Sequence, residues 1–184
     1  MELDSAIQSR RSVKKFSNKK PDWRDILEAI NSARYAPMAG NNYTLKFILV
    51  DKPEIIQKIT ECCQQDWISQ VQYMVVACSI PSITINKFGE RGKNYFRQQA
   101  GAAIENFLLK IEELGLATTW VGHFVDEEIK KELLIPKDAE IEAVFPIGYE
   151  FKKSPPKTKI ELDRILYFNK WGEKRMKPLE KQEV

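Results

Sequence analysis

The sequence is poor in residues that would announce a metal or nucleophilic centre: 184 residues contain one histidine, His123, and three cysteines. A single imidazole excludes a multi-histidine metal site and leaves a Ser–His–Asp hydrolase one residue on which to be built. Cys62, Cys63 and Cys78 are odd in number and lack metal-ligand spacing, so neither a zinc site nor a disulfide framework is expected. Cys62 and Cys63 fall on a predicted helix, where adjacent side chains diverge, and read as packing residues. There is no Gly-x-Gly-x-x-Gly fingerprint and no phosphate loop ending in Gly-Lys-Ser/Thr, which removes the strongest signatures of a dinucleotide domain or an NTPase. The longest purely apolar or aromatic run, residues 73–78, is far too short to cross a bilayer. The first residues carry no apolar signal segment, and with the unpaired cysteines this makes a reducing cytoplasm the expected compartment.

What remains is a 43% hydrophobic chain without repeats or low-complexity linkers, long enough for one well-packed domain over residues 1–184. Its net charge of +3 hides an uneven partition. Residues 10–20 carry six cations and no acid, residues 152–184 have a net +5, and residues 21–151 have a net −6. The small overall excess argues against sequence-independent nucleic-acid binding. The two basic ends are either separate solvated surfaces or the two sides of one anion site.

Pro21, Asp22 and Asp25 followed by Ile26, Leu27, Ile30 and Ala33 predict a helix over about 22–35. Residues 36–42 hold Pro, Gly and two Asn, which is loop chemistry, and Leu45–Val50 reads as a buried strand. Pro53 suits the first turn of a helix through Cys63. Tyr73–Ser79 is the next strand. Residues 81–92 show no clean period and read as a long loop or lid, with a short helix within it as an alternative. Ala100, Ala103, Ile104, Phe107, Leu108, Ile111 and Leu114 trace a long central helix that stops at Gly115. Residues 118–121 and 141–147 are further strand candidates, and Asp126 opens a short helix that ends before Pro136. Interleaved helices and strands of this kind imply an α+β or α/β sandwich around one sheet.

The densest chemistry lies in RRSVKKF, residues 10–16, after a short amphipathic helix containing Leu3, Ala6 and Ile7. On an extended backbone, side chains 10, 12 and 14 share one side. A guanidinium fork, a hydroxyl and an ammonium would then suit a phosphate monoester. Composition alone is equally served by a solvated basic face.

The same run resembles the N-terminal Arg-Arg-Ser-x-Arg/Lys-x-Phe signature of the nitroreductase family of FMN-dependent oxidoreductases. Three further segments match in order. APMAGNNYTLKFILV is similar to the family's Ala-Pro-Ser-Ala-x-Asn-x-Gln-Pro-Trp-x-Phe loop and strand. GAAIENFLLKIEELGLATTWVGHF resembles its long helix and Trp-Ile-Gly strand end, and IGYEFKKSPPKTKIELDRILYFNKWG its C-terminal Lys-x-Arg segment and tail. The resemblance implies a three-layer α/β/α sandwich around a mainly antiparallel sheet. It implies a homodimer whose segment 152–184 packs on the partner subunit, with no nucleic-acid or membrane partner.

It further implies that Arg10, Arg11, Ser12 and Lys14 hold the FMN phosphate and ribityl chain, joined by Lys157 and Lys159 from the other end. Such a phosphate carries about −1.5 to −2 charges. One ion pair at 4 Å is worth only about 1 kcal/mol in water against about 4 at an effective dielectric of 20, so several cations in a partly buried site are needed. By the same resemblance Pro37, Met38, Ala39 and Asn41 line the isoalloxazine, commonly from the partner subunit. Gly122 and His123 stand at the strand end whose backbone N–H approaches flavin N5; a packing or capping role for the imidazole stays open. Met38 replaces the usual serine, Tyr43, Thr44 and Leu45 replace Gln-Pro-Trp, and Gln99 stands where an acid is frequent. With the flavin carrying the chemistry, no catalytic side chain is expected. The implied activity passes reducing equivalents from NADH or NADPH through flavin N5 to a small oxidant, such as a nitroaromatic or quinone, by a ping-pong mechanism. Alternatives are a non-catalytic flavin-storing or sensing protein, or a same-fold enzyme for dehalogenation, flavin fragmentation or alkene reduction.

Overall fold

The computed structural model describes residues 2–153, 155 and 158–174. The chain divides into a large unit, Met1–Ser154, and a small one, Pro155–Val184. Lys157 lies outside the described residues.

In the large unit a three-stranded antiparallel sheet is ordered β1 (Leu45–Val50), β2 (Tyr73–Ser79), β3 (Glu140–Ile147). Six helices surround it: α1 (Leu3–Ser9), α2 (Trp23–Ser32), α3 (Pro53–Cys63), α4 (Ser82–Phe88), α5 (Gly92–Glu113) and α6 (Asp126–Leu133). Successive side chains of a strand point to opposite faces, and the two cores divide along that alternation. Tyr73, Val75 and Ala77 of β2 join Ala143, Phe145 and Ile147 of β3 beneath α2 and α5. Met74, Val76 and Cys78 turn the other way, against Ile56 and Ile59 of α3 and Ile129 of α6. Every residue of β2 is buried, which explains why it reads as an unbroken apolar run. The result is helices on both faces of an antiparallel sheet, a three-layer α+β fold.

Local chemistry sets the element ends. Asp22 caps α2 by accepting the Arg24 N–H at 2.9 Å. Pro53 opens α3 where no backbone donor is needed. The 22 residues of α5 end in a Schellman motif, with Gly115 at φ +72° and the Leu116 N–H donating to Ile111 O at 3.0 Å.

Three expectations are corrected. The α2 helix ends at Ser32 and tightens into a 3-10 turn over Ala33–Tyr35. Residues 81–92 are not a loop: α4 runs Ser82–Phe88 and a 3-10 turn, Gly89–Arg91, leads straight into α5. Thr84 holds this corner by donating to Pro81 O at 3.1 Å and Gly92 O at 3.0 Å. Residues 118–121 are extended but form no strand. Isolated bridges flank the segment, Val121 to Val144 of β3 and Ala117 to Gly148 just beyond it. Between them the Thr119 hydroxyl donates to Val13 O, and Trp120 packs edge-on against Phe145.

Within the small unit, Leu162–Arg164 forms a 3-10 turn. The Tyr167 and Trp171 rings meet at 5.0 Å, and the Phe168 N–H donates to Glu173 O at 2.8 Å.

Candidate functional site

The basic segment leaves α1 at Arg10 and runs extended beside residues 117–119. A parallel bridge joins Ser12 to Thr118, and the Val13 N–H donates to Thr118 O at 3.0 Å. Val13 and Phe16 face the core with Ala117 and Val71, so Ser12 and Lys14 are turned outward. Gly148 lets Phe16 close this corner, since a Cβ there would sit 2.8 Å from the Phe16 ring. The cations reach different neighbours. Arg10 Nε lies 3.3 Å from Glu105 Oε1 on α5, Arg11 Nη1 donates to Gln8 O at 2.5 Å and Arg10 O at 2.8 Å, and the Lys14 ammonium sits 5.6 Å from the Trp67 ring centre. Arg10 is the one cation of residues 10–20 with a carboxylate partner among the described residues.

Three buried polar atoms in this corner lack a hydrogen-bond partner among the described residues: Arg10 Nε, Arg11 Nε and Thr118 Oγ1. The Arg10 atom lies within charge-pairing distance of Glu105 without hydrogen-bond geometry. Unsatisfied buried donors are uncommon because each costs about 1–3 kcal/mol. Their concentration on the two bridged segments suits an anionic group with several acceptor oxygens. A phosphate fits that donor set.

The second part is the loop over residues 36–42. Met38 packs on the core under α5, and Gly40 and Asn41 both adopt left-handed backbone at φ +55° and +57°. Glycine takes this conformation freely and asparagine tolerates it. A Cβ at Gly40 would approach Phe88 Cζ to 2.9 Å and Lys87 Nζ to 3.1 Å, so α4 presses directly on the loop. From below, the buried Gln99 side chain accepts the Ala39 N–H at 3.0 Å and donates to Asn42 O at 3.1 Å and Thr44 Oγ1 at 2.6 Å. Pro37, Met38 and Ala39 line a concavity of about 350 Å³ with Tyr95, Gln98, Gln99 and Ala102 of α5. Among the described residues no charged side chain lines it. Half-burial pushes the Tyr43 phenol upward, opposed by the charge of Arg34.

Gly122 and His123 follow the bridged segment, both exposed. The Trp120 indole nitrogen is the nearest group to a Cβ at Gly122, at 4.0 Å, so the backbone there is open. The long α5 helix ties these parts together. It carries both Gln99 and Glu105, six residues or about 9 Å apart along its axis. Lys159 belongs to the small unit and is exposed. Sequence reasoning missed Glu105 as the counter-ion of Arg10 and left the role of Gln99 open; the one available signal was a polar Gln99 directly before the apolar stripe that begins at Ala100. Among the described residues there is no group of three or more His, Cys, Asp or Glu able to hold a metal, and no helix long and apolar enough to cross a membrane.

Comparison with known proteins decides the lineage: the nitroreductase family matches over residues 7–81 and 61–149. The chain belongs to the nitroreductase family. It is 30% identical over 148 residues, 78% of this chain and 82% of the relative, to an Archaeoglobus fulgidus protein provisionally named NADH dehydrogenase/NAD(P)H nitroreductase. A nitroreductase family protein from Clostridium novyi NT superposes with TM-score 0.75 at 28% identity, covering 94% of this chain and 96% of that one. The fold also matches an oxidised iodotyrosine deiodinase bound to FMN and 3-iodo-L-tyrosine, with TM-score 0.79 at 19% identity over 92% of this nitroreductase chain and 100% of the deiodinase.

Proposed function

We propose that this nitroreductase family protein is an FMN-dependent oxidoreductase that uses NADH or NADPH to reduce a small neutral oxidant such as a nitroaromatic or a quinone. The observation that carries the reading is the cluster of orphaned donors, Arg10 Nε, Arg11 Nε and Thr118 Oγ1, beside the exposed Ser12 hydroxyl and Lys14 ammonium. When bound, FMN supplies the redox chemistry, taking reducing equivalents from the nicotinamide and handing them to the oxidant in two half-reactions. The chain's own work is binding, orientation and access.

Arg10 gives up Glu105 to the phosphate, Arg11 and Ser12 add directed donors, and Lys14 adds a point charge. The family resemblance adds Lys157 and Lys159 to the residues proposed to bind this phosphate. Pro37, Met38, Ala39 and Asn41 form the wall against the ring, contributed across a homodimer interface on which segment 152–184 of the partner subunit packs. Exposed Leu3 and Tyr35, which border a groove between α1, α2 and α5, support that interface; a monomeric mass at micromolar concentration by sedimentation would exclude it. Gly122 leaves a backbone N–H accessible to the ring edge, with the His123 imidazole beside the substrate. The compartment that fits a flavoenzyme with free buried thiols is the cytoplasm.

The iodotyrosine deiodinase fold match favours dehalogenation as a second reading. The concavity beside Pro37 to Ala39 offers no charged side chain for a zwitterionic amino acid, so the neutral oxidant ranks first. Equilibrium titration with FMN tests the site. Arg10→Ala is expected to weaken retention about tenfold or more, the scale of a hydrogen bond to a charged group, and Glu105→Gln to tighten it by removing the competitor. Unchanged affinity in Arg10→Ala would contradict the phosphate assignment. Initial-rate patterns should be parallel, as a ping-pong cycle requires; intersecting patterns would exclude that cycle.

A further inference from the structure

The amide of Gln99 can accept two hydrogen bonds at its oxygen and donate two from its nitrogen, and residues 39–44 take three of these four. Its oxygen accepts the Ala39 N–H, and its nitrogen donates to Asn42 O and Thr44 Oγ1. These three partners bracket the left-handed pair Gly40 and Asn41, the part of the loop least able to hold its own shape. The other hydrogen bonds of residues 38–42 are internal, the Asn41 N–H to Met38 O, the Asn42 N–H to Ala39 O and the Asn42 side chain to Ala39 O and Gly40 O, apart from an exposed donation of Lys87 Nζ to Gly40 O at 3.4 Å. Gln99 is therefore the buried link that fixes the loop to the core helix, while Phe88 and Lys87 of α4 close over Gly40 from the other side.

We infer that Gln99 is the positioning residue of this site: its neutral amide sets the backbone of residues 38–42 and so decides where that wall meets the flavin ring. The functional half of this inference rests on the FMN reading above. The chemistry requires an amide. A carboxylate in its place offers no donor and sets a negative charge against the Asn42 carbonyl, and an aliphatic side chain leaves the Ala39 N–H and Asn42 carbonyl unpaired in a buried place. A protonated carboxyl recovers one donor. The polar map around Gln99 thus separates the two variants by pH. The titratable or charged side chains near it are Tyr43 on the loop, Tyr95 on α5, Lys87 on α4 and Arg34 on the turn after α2. Phenols and amines of these types ordinarily titrate near 10, so a change between about pH 5 and 7 belongs to the introduced carboxyl.

The test is amide-exchange protection of residues 38–42 in the full chain, with and without added FMN, in wild type, Gln99→Glu and Gln99→Leu. At neutral pH residues 38–42 should lose about tenfold or more of their protection in both variants, in Gln99→Leu because the Ala39 N–H loses its acceptor and in Gln99→Glu because a carboxylate cannot donate to Asn42 O and repels it. Lowering the pH should restore part of it in Gln99→Glu and none in Gln99→Leu, with FMN affinity relative to wild type following the same pattern. Thr44→Val removes a single contact and should show a smaller loss, which keeps the test open if a Gln99 variant does not fold. Wild-type protection in Gln99→Glu at neutral pH, the same pH response in Glu and Leu variants, or full protection in Thr44→Val would each overturn the inference. So would equal FMN affinity in variants that have lost protection. If wild type itself takes up no FMN, the flavin reading fails, while exchange in the flavin-free chain still decides the role of Gln99.

Discussion

At the residue scale, burial rather than partnership governs the cysteines. Cys63 and Cys78 are enclosed by the core on the α3 side, and desolvation pushes their thiols up to about 12 and about 11. A thiol with a raised value in the folded state keeps a proton that the unfolded chain releases, so stability falls as pH rises. The loss begins above the unfolded thiol range, near pH 8.5, and continues to about pH 11 for Cys78 and about pH 12 for Cys63, with a slope of at most about 1.4 kcal/mol per pH unit for each thiol. Urea denaturation of wild type and Cys63→Ala at several alkaline pH values checks this; a wild-type slope no steeper than the variant's would contradict it. The same burial predicts that thiol reagents label the native protein slowly at neutral pH and all three cysteines rapidly in denaturant.

Arg10 shows the opposite balance. Its partner Glu105 is exposed enough for solvent to weaken the pair, which leaves the guanidinium available to a stronger anion. The basic run was legible as a phosphate motif, but its counter-ion was not, because Glu105 lies 95 residues further along the chain. Gln99 was legible only as a departure from a family pattern. Its meaning comes from Ala39, Asn42 and Thr44, which spacing alone does not bring to it.

At the scale of elements, the readable ones are those with clear breakers at their ends. The strands Leu45–Val50 and Tyr73–Ser79 and the helix Pro53–Cys63 keep their expected bounds, because an apolar run or stripe meets a proline or turn residue at each end. The α4 helix was hidden because it is seven residues long, too short to display a period, and carries Ile83, Thr84 and Ile85 in succession. Residues 118–121 look like a strand because they are β-branched and aromatic. They fail to be one because side-chain contacts from Thr119 and Trp120 replace the ladder.

The corner between α4 and α5 makes a prediction of its own. A Cβ at Gly92 would sit 2.4 Å from Thr84 O, whereas one at Gly101, in the middle of the same helix, meets nothing within 4 Å. Gly92→Ala should cost about 1–3 kcal/mol or more through a clash with backbone that cannot rotate away. Gly101→Ala should be neutral or stabilise by up to about 1 kcal/mol through helix propensity. Equal shifts in the urea midpoints of the two variants would show that the corner is not packed as described.

At the scale of the molecule, the fold supplies a rigid frame and the chemistry lies on its least regular parts. The layers explain the long helix α5, which supports the loop through Gln99 and faces the basic segment through Glu105. The net charge of +3 is a poor summary of this arrangement. Six cations gather within residues 10–20, where orphaned donors also collect, and the acidic middle of the chain is spent on solvated surface and short ion pairs such as Lys58 with Glu132 at 2.8 Å. Three-layer architecture and the nitroreductase lineage were legible in the order of four motifs. The closure of the site was less so, because it depends on contacts between segments far apart in sequence.

The central claim is that this frame binds FMN and passes reducing equivalents through it. Anaerobic titration of the FMN-loaded full chain with NADH and, separately, NADPH tests it most directly. The account predicts that the visible flavin absorbance bleaches stoichiometrically with at least one nicotinamide and returns on adding a nitroaromatic or quinone. A chain that takes up no FMN, or a loaded chain that neither nicotinamide bleaches, would contradict it.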